Sequence, residues 1–161
     1  VYLVRKGENY GWSVQEGSNP FYQDRPVGPG PIVHPVAEHH HSEARSLTGG
    51  VVYTGKKWPE LRGVYLYGDY STGRVWGIKH DGTQVTFHRE LVDTPFAIAG
   101  FAETQDGELL IIDQHTGFHR LEPNPPVSDP PVFPRTLSAT GLFADVARHE
   151  LAAGVIPYSV N

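Results

Sequence analysis

The hydrophobic pattern of this chain repeats once. Apolar runs at residues 64–67 and 109–112 each lead into a polar turn of the form Asp-x-x-Thr-Gly, which begins at Asp69 and returns 44 residues later at Asp113. A second strand-like run follows each turn, at residues 74–78 and 118–121. A period of roughly 40–50 residues with short strands and glycine turns is typical of β-propeller blades. The pattern therefore predicts two consecutive blades with Asp69 and Asp113 in equivalent positions.

The regular part of the chain spans residues 48–122. The pattern predicts strands near 50–53, 63–67, 74–79, 83–90, 97–103, 109–113 and 117–121. Asp-Gly pairs at 81–82 and 106–107 are hairpin turn signals between neighbouring runs. The expected fold class is all-β, a partial propeller comprising the last two to three blades of a six-bladed ring, with a proline-rich C-terminal extension.

The flanking segments are less regular. Residues 1–17 predict a strand at 1–4, a turn and a second strand at 10–14, and a long loop rich in Pro, Gly and His follows over 18–47. Six prolines at 123–134 predict an extended linker. Residues 135–161 predict a connector to a following domain, with a short helix at 140–151. The domain boundaries are thus 1–122, 123–134 and 135–161.

Composition narrows the class of partner. Charged residues make up 19% of the chain and the net charge is −5, so there is no basic footprint for nucleic acid. No apolar stretch approaches the ~20 residues of a membrane span, and cysteine is absent. Fewer than three blades fit before the proline-rich run. We therefore expect a piece of a longer protein, paired with the remaining blades of that protein or with a clipped partner chain.

Several motifs resemble one known family. Residues 6–12 (KGENYGW), 47–55 (LTGGVVYTG), 59–63 (PELRG), 67–70 (YGDY), 73–76 (GRVW) and 101–109 (FAETQDGEL) are similar to segments of glucose/sorbosone dehydrogenase-like propellers, and together they cover about residues 1–123. The resemblance implies a six-bladed propeller. Some members oxidise sugars with pyrroloquinoline quinone (PQQ) held on the propeller axis with calcium.

The tail has a resemblance of its own. Residues 133–143 and 154–161 are similar to a connector in large exported bacterial proteins, common in planctomycetes, in which a propeller precedes c-type cytochrome modules. This implies a periplasmic or otherwise exported parent protein, with haem c downstream of residue 161.

The resemblance also implies which residues a quinone site needs. An Arg pair at the start of the last blade grips the quinone carboxylates in the PQQ-using members, because guanidinium forks match carboxylates. The matching residues here, 96–100, contain no Arg. We expect no cofactor within this segment, with PQQ and calcium belonging to the parent protein if it uses them. Arg74 is the better candidate for a substitute cofactor-binding cation, ahead of Arg89.

The histidine-rich part of the long loop is the other chemical candidate. On an extended chain, His39 and His41 share one face. With Glu38 they form a candidate zinc or copper site. The alternative is a polar loop at a channel mouth, lined by His39, His41 and Ser42, and this alternative is favoured.

The repeated aspartates and the three tryptophans each have a structural interpretation beside a functional one. The Asp69 and Asp113 carboxylates can fix the turns that follow them by accepting backbone N–H groups, or they can ligate calcium. Trp12, Trp58 and Trp76 favour packing between blades over stacking on sugars. A sugar site would need exposed aromatic faces beside hydrogen-bonding groups.

Three functions follow from these observations, and the third is a module that binds a carbohydrate such as a polysaccharide, or another partner. The first is a binding or scaffolding propeller with a degenerate quinone site, within an exported multidomain protein. The second is an oxidoreductase domain of a PQQ-type sugar or alcohol dehydrogenase that passes electrons to a c-type haem domain. The missing Arg pair favours the first, and the cytochrome-like context favours the second.

Overall fold

A computed structural model describes residues 1–123 and 134–156. The described residues form eleven β-strands and two short 3-10 turns, and they contain no α-helix. The strands are β1 Gln15–Glu16, β2 Asn19–Pro20, β3 Leu47–Val52, β4 Tyr65–Asp69, β5 Arg74–His80, β6 Val85–Asp93, β7 Ile98–Glu103, β8 Leu109–Asp113, β9 Gly117–His119, β10 Phe143–Asp145 and β11 Glu150–Leu151. The all-β prediction is confirmed.

Two antiparallel sheets follow one another along the chain. The first has the strand order β3-β4-β5-β6, and the second has the order β7-β8-β9. Each strand pairs with its neighbour in sequence, and β3 of the first sheet lies next to β7 of the second. Two meandering sheets that meet through their first strands are consistent with consecutive blades of a partial propeller.

The two middle strands of the first sheet, β4 and β5, are buried on both faces, and their alternating side chains enter two different clusters. Leu66 and Val75 point towards the second sheet and pack with Ile98, Leu109 and Ile111. On the opposite face, a second cluster consists of Ala44, Tyr67, Trp76 and Ile78, with Val36 and Ala37 of the long loop packed against it. Burying each large apolar side chain stabilises the fold by about 1.5–3 kcal/mol. The long loop therefore covers the sheet face that the second sheet leaves open.

Asp69 ties its own turn to the beginning of the first sheet. Its Oδ1 accepts the backbone N–H of Ser71 at 3.0 Å and of Thr72 at 2.8 Å. Its Oδ2 accepts the N–H of Arg45 at 2.8 Å and that of Ser46, just before β3. Burial alone would raise the pKa of Asp69, but these N–H donors outweigh it and hold the pKa below its usual range.

Asp113 ties its own turn to the beginning of the second sheet in the same way. It accepts the N–H of Ala97 at 2.8 Å, just before β7, and the N–H of Thr116 at 2.8 Å in its own turn. The residues that follow the two aspartates, Tyr70 and Gln114, also hydrogen-bond to each other through their side chains. The predicted equivalence of Asp69 and Asp113 is confirmed, and their carboxylates are occupied by backbone donors.

Two predictions for the N-terminal segment are wrong. Residues 1–4 do not form a strand. Instead, the backbone nitrogen of Val1 donates to the carbonyl of Ala37, and the carbonyl of Val1 accepts the N–H of Val36, at 2.9 Å each. The strand predicted at 10–14 is replaced by the short hairpin β1–β2.

The C-terminal unit, residues 122–161, also differs from expectation. The helix predicted at 140–151 does not form. A 3-10 turn at Leu137–Ala139 and the hairpin β10–β11 take its place. Gly141 adopts a φ of 72°, which ends any helical run there. Most of the predicted proline-rich linker, residues 124–133, lies outside the described residues.

Candidate functional site

The outer face of the first sheet carries a cluster of aromatic and imidazole rings. Tyr67 of β4 lies opposite Trp76 of β5, and His88 of β6 lies opposite Ile78 of β5. The long loop adds His39, whose ring centroid is 4.3 Å from that of Trp76 and whose side chain is only 4% exposed. These four rings define the candidate site, which we call the Tyr67 cluster.

The hydroxyl of Tyr67 joins two histidines. It lies 2.8 Å from Nε2 of His39 and 2.8 Å from Nε2 of His88, while Nδ1 of His39 lies 3.3 Å from a carboxylate oxygen of Glu43. A carboxylate only accepts hydrogen bonds, so Nδ1 of His39 carries a proton, and in the neutral imidazole Nε2 then accepts from Tyr67. The Tyr67 oxygen then accepts from Nε2–H of His88. The result is a directional chain of hydrogen bonds that ends at Glu43.

Burial is the main cause of the protonation states of Tyr67 and His88 in this chain of hydrogen bonds. Burial, with a smaller contribution from Tyr65, raises the pKa of Tyr67 above its usual range. Burial is also the main reason that the pKa of His88 is lowered. At neutral pH the hydroxyl is therefore protonated and His88 is neutral. Such a chain of hydrogen bonds can hold the long loop against the sheet and relay a proton. The Tyr67 hydroxyl is not a nucleophile, because it stays protonated.

A cavity of about 680 Å³ lies beside the loop. Its lining includes Glu38, His39, His40 and His41. Ser42, grouped with His39 and His41 in the sequence prediction of a channel mouth, bonds instead to Nδ1 of His40 at 2.9 Å. Two of the three predicted channel-mouth residues thus border one cavity, and this interpretation stays a prediction.

The residues of the predicted metal site have separate partners. Glu38 accepts the N–H and the hydroxyl of Ser18, both at 2.6 Å, and these bonds lower its pKa. His39 is held in the Tyr67 cluster, and His41 is exposed. Within residues 1–123 and 134–156, no group of three or more His, Asp or Glu side chains is arranged to hold a metal ion. The geometry gives the metal interpretation no support.

Arg74 lies on the third strand of the first sheet, two strands away from β3. Its guanidinium faces Glu90 at 3.7 Å and Asp93 at 3.8 Å, both on β6. The other candidate cation, Arg89, lies over the ring of Phe87 at 4.9 Å. The candidate substitute for the missing arginine pair is therefore directed towards two carboxylates of its own sheet.

His88 was missed by the sequence analysis. In β6, Phe87 packs towards the core between the sheets, so its neighbour His88 must point to the opposite face, where Tyr67 and Trp76 lie. The Phe87–His88 pair carries this signal, but Val85 packs on the same face as His88, so the alternation is broken between Val85 and Phe87. Register irregularities in the β5–β6 pairing, between Val75 and Trp76 and between Lys79 and His80, obscure which residues become neighbours.

The three tryptophans have different environments. Trp58 packs at the margin of the core between the sheets, and Trp76 is buried in the second cluster. Packing is thus confirmed for these two residues, although Trp76 packs under the long loop and not between sheets. Trp12 is 71% exposed in this chain and stacks on Phe21, so packing between blades stays a prediction for it.

Comparison with known proteins agrees with this architecture. The sequence model of the Glucose / Sorbosone dehydrogenase family matches residues 1–119. The HIPL1 protein of Arabidopsis thaliana is 35% identical over 88 residues, which cover 47% of this chain and 13% of the relative. The chain thus spans about an eighth of that relative's length. In the described residues, no helix is long and apolar enough to cross a membrane.

This chain belongs to the glucose/sorbosone dehydrogenase family. Its two sheets are those of a propeller domain of the sugar dehydrogenase type.

Proposed function

We propose that this chain is the propeller segment of an exported, periplasmic multidomain protein, with a binding or scaffolding role and a degenerate quinone site. The proposal includes the remaining blades of the same parent protein as its structural partner. A clipped second chain is the alternative source of those blades.

The position of Arg74 is the observation that carries the proposal. PQQ presents three carboxylates, and residues 96–100 offer no cation to meet them. Arg74 is 33% exposed and already faces the carboxylates of Glu90 and Asp93. It also belongs to β5, the third strand of its sheet. Arg74 is therefore two strands away from β3, the strand that meets β7 of the second sheet.

Electrostatic energy explains why this arrangement does not fit the quinone. A buried carboxylate without a cation costs several kcal/mol. Turning Arg74 towards the quinone would also remove it from two acidic neighbours. Neither calcium nor quinone has a matching set of ligands among the residues described, so no reaction step is assigned to them.

A dehydrogenase role is the second candidate, and family membership favours it. In that case the parent protein would oxidise a sugar or alcohol and pass electrons to a c-type haem domain downstream. The Tyr67 cluster would then serve as a relay that holds a proton near the sheet face, because its hydrogen bonds run in one direction.

An activity assay on the complete protein separates the two candidates. The protein is incubated with PQQ and calcium, and aldose oxidation is followed with an artificial electron acceptor. We expect turnover no higher than that of a heat-denatured sample. Quinone-dependent turnover would overturn the scaffolding proposal and favour the dehydrogenase.

A further inference from the structure

The hydroxyl of Tyr67 differs from that of every other tyrosine in the part of the chain that the structure describes, because it alone lies within hydrogen-bond distance of a histidine. Tyr53 is buried to the same extent, but its hydroxyl donates to the carboxylate of Glu108 at 2.6 Å. Imidazole is the stronger base of the two acceptors, since the ordinary pKa of histidine is ~6.5 and that of glutamate is ~4.3. Tyr67 therefore has the better proton acceptor.

A phenol that donates to a base can lose an electron more easily than one that does not. Removing one electron from a phenol turns its hydroxyl into a strong acid, so the proton leaves at once when an acceptor is in contact. At Tyr67 the acceptor is Nε2 of His39, at 2.8 Å. Nδ1 of His39 faces the carboxylate of Glu43 at 3.3 Å, and this carboxylate stabilises the imidazolium that results.

The surroundings of Tyr67 suit the product of this reaction. A phenoxyl radical that has given up its proton is neutral, so it avoids the cost of a buried charge. His88 continues to donate its Nε2–H to the same oxygen at 2.8 Å. Tyr67 is 1% exposed, and the ring of Trp76 lies beside it with a centroid distance of 5.8 Å. A radical at this position is therefore shielded from solvent.

Tyr65 gives the electron a route out of the sheet. Its ring is nearly parallel to that of Tyr67, with an interplanar angle of 19° and a centroid distance of 5.9 Å, within the range of about 4.5–7 Å for interacting aromatic pairs. Tyr65 is half-buried, and its hydroxyl accepts the N–H of Gly50 at 3.0 Å, so it meets a donor and not a base. Electrons tunnel across packed side chains, so this route works whether or not another blade covers Tyr65.

We propose that Tyr67 is a redox-active tyrosine, which gives one electron through Tyr65 to a strong oxidant while its hydroxyl proton moves to Nε2 of His39. The oxidant belongs to the class of oxyl radicals, such as the carbonate radical anion, which gains the electron and becomes carbonate. The O–H bond of Tyr67 breaks, an N–H bond forms on His39, and a neutral phenoxyl radical remains.

The cycle closes when a one-electron reductant such as ascorbate returns the electron and the proton moves back from His39 to Tyr67. The Tyr67 cluster thus acts as a sink for oxidising equivalents. This activity needs neither quinone nor sugar, so it goes beyond the proposed function and does not depend on it.

The test is flash photolysis of the complete protein with ruthenium(II) tris-bipyridine and persulfate, which together generate a one-electron oxidant. The neutral tyrosyl radical is followed by its optical absorption and by electron paramagnetic resonance after rapid freezing. We expect a long-lived radical that forms more slowly in D₂O and is mostly lost in Tyr67→Phe. His39→Gln should slow its formation at least about a hundredfold, the scale of proton transfer to a positioned base.

Tyr53→Phe is the matched control, because it removes an equally buried hydroxyl whose acceptor is a carboxylate. It should give the long-lived radical in wild-type yield. The proposal would be overturned by an unchanged yield in Tyr67→Phe, by equal losses in Tyr67→Phe and Tyr53→Phe, or by the same rate of formation in His39→Gln as in wild type. The rate in His39→Gln decides the test even where Tyr67→Phe is unstable. Because the assay contains no PQQ, none of these results bears on the quinone site.

Discussion

Replacing Asp69 with asparagine should destabilise the first sheet more than any conservative change at its surface. The carboxylate is fully buried, and each of its oxygens accepts two backbone N–H groups. Asparagine keeps one oxygen and places an amide donor where the other oxygen was. Two N–H groups therefore lose their acceptor and face another donor.

The magnitude follows from those two lost bonds. Hydrogen bonds to a charged group contribute about 1.5–3 kcal/mol each, and the asparagine side chain can relieve part of the loss by rotating. We expect Asp69→Asn to lower the free energy of unfolding by about 3–5 kcal/mol, a large share of the ~5–15 kcal/mol typical of a domain.

Urea denaturation followed by tryptophan fluorescence measures this change, because Trp76 is buried in the same sheet. The slope with urea should stay constant while the midpoint falls. Asp93→Asn is the control, since Asp93 is exposed and its one ion pair, at 3.8 Å from Arg74, contributes less than ~1 kcal/mol. A loss below about 1 kcal/mol for Asp69→Asn, or equal losses in the two variants, would refute the reasoning.

Three further predictions concern the same sheet. Tyr67→Phe removes the hydroxyl that joins two histidines, so stability should fall by about 1–2 kcal/mol and amide exchange should rise in the loop around His39; unchanged exchange would contradict the docking role. Gly50→Ala places a Cβ 1.5 Å from a backbone carbonyl oxygen, so thermal melting should show a loss of stability of about 3 kcal/mol or more. Gly100→Ala is the control and should change stability little, because the nearest atom to a Cβ there is a side-chain methyl at 3.7 Å. The lowered pKa of Asp69 stabilises the fold above about pH 4 and this contribution is lost as the pH falls through the lowered value, so acid titration of Asp69→Asn should show a shallower decline than wild type.

The sheets could be predicted from sequence because local signals agreed there. Alternating apolar residues, Asp-Gly turns and the repeated Asp-x-x-Thr-Gly motif all specify short antiparallel strands joined by tight connections. The strand predicted at 109–113 matches β8 in full, and the one at 74–79 differs from β5 by a single residue.

The candidate site was harder to predict because it depends on contacts between distant segments. The prediction that His39 and His41 share a face assumed an extended chain. In the structure, the N–H groups of Glu43 and Ala44 both donate to the carbonyl of His40, so the chain turns there. The side-chain period of two no longer applies at that turn, and burial selects His39 alone.

Exposure of a side chain to solvent was the other property that could not be predicted from the sequence. Trp12 and Trp76 both lie in aromatic, glycine-containing segments, yet one is open to solvent and the other is buried. What separates them is the sheet face beneath each residue. Trp76 lies on a wide sheet under a loop, whereas Trp12 lies beside a hairpin of two-residue strands that has too little area to cover it.

The affinity of the complete protein for PQQ in the presence of calcium tests the degenerate quinone site most directly. Calorimetry on wild type and on Arg74→Ala should show no stoichiometric binding to either, and the two titrations should be indistinguishable. Tight binding of one quinone per propeller, weakened by Arg74→Ala, would show that Arg74 leaves its two acidic neighbours to grip the cofactor and would contradict the account.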